Sequence, residues 1–371
     1  MLLERADELR ALDTVLSTGG VLVIEGGAGI GKTSLLRLGS ERAARSGWRV
    51  LRGTGSELET GFAFGVVRQL FERELAAADP ARRTQWLAGP AAAVRGLLGS
   101  PDAAPDPFAV VHGLYWLTVN MAAGQPVLIA VDDAHWADPA SLRWLAYLAS
   151  RVEGPGVAVV VALRPAEPAS RQGPLAKIRA AAPAIRPALL SAAGVAAIVR
   201  AALGAGTPDA TCQALREASG GNPFYLGELL RAQTTSGGGL PASEAVARHV
   251  EARIRRLDPA ALGLAQALAV LGDEGQLRHA MAMTGLDTDP AVRLAAALVR
   301  VEVLAAAHPP RFLHPVVRAA VDASLGSDER DRMHRAAARE LDRDDAAPGR
   351  VAAHLMHVQP VGDAWVAGRL R

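Results

Sequence analysis

Lysine is almost missing from this chain of 371 residues: only Lys32 and Lys177 occur, and the other fixed cations are arginine. Cysteine is rarer still, at one residue, Cys212. A lone thiol excludes an internal disulfide and, without ligand-type neighbours, a thiolate metal site, so a small buried position is expected of it. No apolar run approaches the roughly 20 residues that a membrane helix needs. The most apolar stretch, "VAVVVAL" (Val157–Leu163), suits a buried strand. The amino end, "MLLERADELRAL", is charged from Glu4 onward and lacks a signal-peptide core. Neither charge sign dominates: 40 Lys and Arg against 38 Asp and Glu leave a net +2, which argues neither for nor against nucleic acid. There is no repeat of fixed period, hence no solenoid. A cytoplasmic protein with no membrane segment is expected, folded because 50% of its residues are hydrophobic and long enough for two or three domains.

What is present reads first as strands alternating with helices. "VLVIE", "WRVLRG", "PVLIAVDD" and "VAVVVALR" are strand-like. The segments "RADELRALDTVL", "TSLLRLGSERAARSG", Phe62–Leu75, Phe108–Ala122 and "SLRWLAYLASRV" are helix-like. Continuous apolar runs in the strands predict a parallel sheet covered on both faces, an α/β fold. After Ala166 the pattern turns helical: "GVAAIVRAAL", "ATCQALREAS" and "FYLGELLRAQ" predict a small lid. "TTSGGGLPASE" (Thr234–Glu244) reads as a linker. Helices then lead to a hairpin, "RVEVLAA", a turn at "HPP", and "RFLHP", which predicts a winged-helix-like domain; more helices close the chain.

The chemistry concentrates in "VLVIEGGAGIGKTSLL" (Val21–Leu36). Gly26, Gly27, Gly29 and Gly31 allow backbone N–H groups to face inward and form an anion nest at a helix start. The whole loop Gly26, Gly27, Ala28, Gly29, Ile30, Gly31, Lys32, Thr33 and Ser34 is the expected nucleotide cradle. Lys32 is expected to bridge the β- and γ-phosphates and the Thr33 hydroxyl to ligate Mg²⁺. "VLIAVDD" ends in Asp132 and Asp133 at the carboxyl edge of a strand, where open α/β sheets hold their ligands. Asp132 is expected to hold Mg²⁺, and Asp133 to orient or deprotonate the attacking water. Arg164 ends the fourth strand on the same edge and is read either as a γ-phosphate sensor or as a surface arginine before Pro165. His135 and Trp136 shape the site or simply pack. Asp138-Pro139 and Asn222-Pro223 are helix starts, cap followed by proline. His354 and His357, three apart on a helix, are read as packing residues.

With the phosphate loop, "VDDAHWADPASL", "LRPAE" and "GGNPFYL" in this order, the chain resembles the signal-transducing ATPases with numerous domains (STAND). More narrowly it is similar to the N-terminal ATPase region of large LuxR-family regulators, the LAL or maltose-regulator-like group. The likeness extends to "RADEL", "RFLHPVVRAAVDASL" and "ERDRMHRAAARELD". It implies a P-loop domain over residues 1–165, a helical lid over 166–235, a winged-helix-like domain over 236–325, and C-terminal helices over 326–371. It further implies that ATP or ADP with Mg²⁺ is enclosed, with Pro223 against the adenine, Arg5 near the base-side loop and His314 reaching the phosphates. Glu4 stands where the family has glycine. Self-association of the ATP-bound form, an inducer, and DNA contact only through a helix-turn-helix outside this sequence complete the implication. The chain is expected to be either the N-terminal module of a longer regulator or a short form of one.

The expected activity is slow ATP hydrolysis that resets a nucleotide-controlled arrangement of domains. An origin-recognition-type ATPase that binds DNA through its winged helix is the alternative, disfavoured because "VEVLAAAHPPRFL" carries few cations. A P-loop kinase for a small metabolite lacks an evident acceptor pocket in the sequence.

Overall fold

The computed structural model describes residues 3–56, 59–99, 106–152, 154–165, 173–236, 244–272, 275–358 and 364–369. They fall into two compact units, Met1–Ala188 and Leu189–Arg371.

The first unit runs α1 (Ala6–Thr18), β1 (Gly20–Glu25), α2 (Lys32–Arg45), β2 (Arg49–Thr54), α3 (Gly65–Ala77), α4 (Pro80–Trp86) and α5 (Arg95–Gly99). It continues with α6 (Pro107–Ala122), β3 (Val127–Asp132), α7 (Pro139–Ala149), β4 (Val157–Leu163), α8 (Pro174–Ala181) and β5 (Ala184–Ile185). The strands form one parallel sheet in the order β2-β3-β4-β1-β5. This is the parallel sheet, covered on both faces, that the apolar runs predict.

Successive side chains of a strand face opposite ways, and the sheet uses both directions. Val23, Ile129, Val131, Val159, Val161 and Leu163 join a core with α3, α6 and α7. Their neighbours Leu22, Ile24, Leu128, Ala130, Val160 and Ala162 join a second core with Leu12 of α1 and Leu35 and Leu36 of α2. Each large apolar side chain so buried contributes about 1.5–3 kcal/mol. The centre of the sheet is therefore firm, and everything at its carboxyl edge is held by rigid strand ends. Asp138 locks the surroundings further. It caps α7 through Ala140 N and Ser141 N (3.1 and 2.9 Å), and its carboxylate also accepts from Phe64 N and Val66 N (2.8 and 3.3 Å) at the start of α3.

The strand β5 is not foreseen in the sequence. It has two residues between prolines and exists because β1 offers it an edge: Val23 pairs with Ala184 and Ile24 with Ile185. The Ala- and Pro-rich stretch after α3 forms α4, a 3-10 turn over Gly89–Val94 and α5.

The second unit contains α9 (Ala192–Leu203), α10 (Asp209–Ser219), α11 (Pro223–Ser236), α12 (Glu244–Ile254), α13 (Ala260–Leu271), α14 (Leu277–Thr284) and α15 (Thr288–Arg300). The antiparallel hairpin β6 (Leu304–Ala307) and β7 (Pro310–Phe312) follows. Then come α16 (Pro315–Ala323), α17 (Ser327–Arg343), α18 (Pro348–Leu355) and α19 (Ala364–Arg369). Helices closed by a hairpin give the winged-helix-like order expected. The first hairpin strand starts at Leu304 rather than Arg300, because α15 runs on through Arg300 and Glu302 turns the chain at φ 57°. One apolar core joins Val195, Leu226, Leu264, Leu298 and Val317; a smaller one joins α17 to α18. Cys212 is buried in the larger core. Most of the linker read at Thr234–Glu244 lies outside the described residues. Among the described residues no helix is long and apolar enough to cross a membrane.

Candidate active site

The loop after β1 turns back over the sheet edge and enters α2 at Lys32. Gly29 and Gly31 take φ of 75° and 102°, conformations that a side chain would strain, so the glycines are required by the turn itself. Lys32 is 7% exposed. Its ammonium donates to the carbonyls of Gly26 and Gly27, both at 2.8 Å, which keeps the cation folded over the loop. Thr33 is exposed and Ser34 half-buried in the first turn of α2.

Two further strands deliver charge to the same edge. Asp132 ends β3, is buried, and accepts from the Asp133 N–H at 2.9 Å. Asp133 takes the left-handed region, φ 43° and ψ 41°, so its side chain leaves the strand direction. Burial, then the Asp132 charge, raise its pKa, against the opposing pull of Lys32 and Arg164. Those influences place the carboxylate in the field of both cations. Arg164 follows β4, directly opposite the end of β1, where Glu25 pairs with Leu163. Its Nε is buried without a hydrogen-bond partner among the described residues.

A cluster absent from the sequence reading holds Arg164 in place. Glu25, the last residue of β1, is buried and accepts from Arg179 Nε and Arg186 Nε, each at 3.0 Å. Arg179 Nη2 in turn donates to the Arg164 carbonyl at 2.8 Å. The available signal was a carboxylate ending an apolar strand: burial of that charge requires a cation.

His135 is the other residue whose setting the sequence left open. Its side chain is 14% exposed and its Nδ1 lies 3.9 Å from Asp133 Oδ1. Burial foremost, then the charges of Arg164, Lys32 and Arg179, push its pKa down to about 3. The ring is neutral at physiological pH.

Arg5 belongs to the first unit and is 4% exposed. Its guanidinium donates to the carbonyls of Ala188 (2.7 Å), Glu4 (3.0 Å) and, from the phosphate loop, Ile30 (3.4 Å). The arginine thus fastens the amino end to the loop through backbone oxygens. Pro223 and His314 belong to the second unit, where His314 lies against Gly220 and Tyr225 on either side of Pro223 in the sequence. Asn222 Oδ1 accepts from Phe224 N at 3.0 Å, capping the helix that Pro223 opens. The buried His314 ring stands edge-on to Tyr225, with centroids 5.1 Å apart. Burial, with a smaller push from Arg253, lowers the His314 pKa against the pull of Glu302. His354 and His357 have a third histidine beside them: His334 Nδ1 is 3.1 Å from His354 Nδ1, and its ring stacks on His357 at 4.6 Å.

Among the described residues no group of three or more His, Cys, Asp or Glu could hold a metal ion. A Mg²⁺ ion does not need one. It is usually held by one or two carboxylates, phosphate oxygens and water, and the Asp132 carboxylate beside the glycine cradle suits that pattern.

Residues 2–161 match the family model described as AAA ATPase domain. With the phosphate loop in place, the first unit is a P-loop ATPase domain. No curated protein matches the chain. Among solved structures, the Walker-type ATPase of Pyrococcus abyssi is 15% identical, with 86% of this chain and 96% of that one covered and a TM-score of 0.58. A STAND protein with a tetratricopeptide repeat sensor from Pyrococcus horikoshii is 16% identical, with 98% of this chain and 49% of that one covered, at a TM-score of 0.36. The Aeropyrum pernix ORC1 protein in complex with DNA is 15% identical, with 87% and 93% covered, at 0.45. At these identities the likeness is one of fold, carried by the first of the three.

Proposed function

We propose that the chain is a nucleotide-operated switch of the STAND type, the ATP-binding and slowly hydrolysing module of a LuxR-family transcriptional regulator in the cytoplasm. The observation that carries the reading is the convergence of Lys32, Asp132, Asp133 and Arg164 at one sheet edge.

Inward-facing amides of Gly26–Thr33 bind the phosphate chain, and Lys32 leaves the Gly26 and Gly27 carbonyls to meet its terminal oxygens. Thr33 and Asp132 would hold Mg²⁺, which would supply charge neutralisation to the phosphate chain. Asp133 orients and deprotonates water, and Arg164 senses the γ-phosphate. Arg5 fixes the base-side end of the loop. Pro223 and His314 are the nucleotide contacts that the family likeness assigns to the lid and the winged helix. Residues 1–165, 166–235, 236–325 and 326–371 act as phosphate-binding domain, lid, winged helix and connecting helices.

A ligand moves a two-state balance only by its difference in affinity for the two states. Turning a 1:99 population into 99:1 takes about 5.5 kcal/mol. Charge-assisted hydrogen bonds contribute about 1.5–3 kcal/mol each, so γ-phosphate contacts from Lys32 and Arg164 made in one state only supply about 3–6 kcal/mol and reach that value at their upper end. ATP then favours self-association, an inducer biases the same balance, and hydrolysis resets it. DNA is read by a helix-turn-helix outside this sequence.

Calorimetry with ATP, ADP and MgCl₂, together with solution scattering of each form, tests the proposal. The expected result is tight Mg²⁺-dependent binding, abolished in Lys32→Ala, with different scattering profiles for the two nucleotides. Unchanged affinity in Lys32→Ala rejects the phosphate cradle, and superimposable profiles reject the switch.

A further inference from the structure

A neutral imidazole carries one donor and one acceptor, and both ring nitrogens of His135 are buried with no hydrogen-bond partner among the described residues. Native structures rarely leave such groups unmade unless the site uses them. Packing does not explain the choice of histidine here. Trp136 lies against the ring at a 5.2 Å centroid distance, and a phenyl group would fill the same space without unmet polar atoms.

The surroundings point to what the ring serves. Nδ1 is 3.9 Å from Asp133 Oδ1, one side-chain adjustment short of a hydrogen bond, and the Asp133 side chain is 42% exposed and able to turn. Of the charges that act on the ring, that of Arg164 is the strongest, and its own Nε is a second buried donor without a partner among the described residues. An unmatched acceptor and an unmatched donor therefore act on one another electrostatically beside the half-exposed Asp133 carboxylate. The chain places them there from two strand ends, β3 and β4, that neighbour one another in the sheet.

We propose that His135 is a positioning residue for hydrolysis, a neutral bridge that donates Nδ1–H to the Asp133 carboxylate and accepts at Nε2 from Arg164. Resting on the reading of Asp133 as the base and Arg164 as the γ-phosphate sensor, the bridge couples the two. When Arg164 turns to the γ-phosphate, its Nε–H meets His135. The ring then holds Asp133 toward the attacking water and keeps the carboxylate from collapsing onto the guanidinium. No proton is gained or lost by the imidazole, which burial foremost, then the charges of Arg164, Lys32 and Arg179, hold in its neutral form.

The experiment compares single-turnover ATP hydrolysis and nucleotide affinity in the wild type, His135→Phe, His135→Asn, Asp133→Asn and the double variant His135→Phe/Asp133→Asn. In His135→Phe, kcat should fall about 10- to 100-fold while the affinities for ATP and ADP stay within about twofold and the melting temperature does not drop. Asparagine restores a donor near the Nδ1 position, so His135→Asn should keep a third or more of the wild-type rate, as an order-of-magnitude expectation. In the double variant, loss of the ring should slow Asp133→Asn by less than about threefold, since the ring acts through that carboxylate. Wild-type turnover in His135→Phe beside a slow Asp133→Asn overturns the bridge alone. Equal losses of affinity and rate, or full additivity in the double variant, also overturn it. Wild-type turnover in Asp133→Asn removes the base itself, and the bridge with it.

Discussion

A single added methyl group at Gly55 should separate nucleotide binding from hydrolysis. Gly55 follows β2, and its N–H donates to the Asp132 carbonyl at 2.9 Å. A Cβ there would stand 2.3 Å from the Asp133 carbonyl oxygen, 2.7 Å from Ala137 N and 2.9 Å from the Trp136 carbonyl carbon. All three are backbone atoms, so no side chain can swing aside. Ordinary contact begins near 3.4 Å, and in a close-packed interior the loop from Asp133 to Ala137 must retreat by about 1 Å. That loop carries Asp133 and His135, and a misplacement of this size costs about 100-fold in rate. The cradle hangs from β1, two strands away in the sheet, so its geometry is not disturbed. Gly55→Ala should therefore lower single-turnover kcat about 100-fold while ADP affinity by calorimetry changes by less than about twofold. Overpacking should also cost about 1–3 kcal/mol of stability, a fall of about 2–12 °C in melting temperature. A variant that hydrolyses ATP at the wild-type rate would falsify the reasoning that this loop's position limits catalysis.

Glu25→Gln removes the charge that neutralises Arg179, whose side chain is 17% exposed, while Arg186 at 72% loses little. An unpaired buried cation should destabilise the first unit by about 3 kcal/mol; thermal denaturation within 2 °C of the wild type, roughly half a kcal/mol, would contradict it. At the far end of the chain, burial and the His334 charge hold the His354 pKa down to about 4, against 6.5 in an ordinary setting. Between those values the unfolded chain binds the extra proton, so the neutral packing stabilises fully above pH 6.5 and is lost as pH falls through 4. Hydrogen exchange should show α17 and α18 losing protection at pH 4.5, inside that window, relative to pH 7, above it, in the wild type and less so in His354→Phe. Equal protection at both pH values would refute the assignment.

Strand ends, loop and fold class were legible because each is written locally. "VLIAVDD" and "VAVVVALR" are apolar throughout, which a strand buried on both faces needs, and the glycines of "EGGAGIGKTS" permit one turn and little else. The stretch from Pro80 to Gly99 was not legible, since alanine serves helix core and helix surface alike and blurs the period of α4 and α5. β5 has no pattern of its own. Only the hydrogen-bonding edge of β1 makes Ala184 and Ile185 a strand.

The site divides along the same line. Lys32, Asp132, Asp133 and Arg164 are each announced by a strand that ends in front of them, so their edge could be inferred without knowing which strands are neighbours. His135, Glu25 and Arg179 take their meaning from groups far off in sequence: Arg164 and Lys32 act on His135, and Arg179 reaches Glu25 from 154 residues away. Their environment depends on β4 lying between β3 and β1, which brings the ends of three strands within reach of one imidazole. Were β4 on the far side of β1 instead, Arg164 would end a strand at the same carboxyl edge but away from Asp133 and His135. The strand order therefore does more than present a phosphate loop: it brings Asp133 and Arg164, to which the proposed mechanism assigns the attacking water and the γ-phosphate, to bear on the single ring of His135.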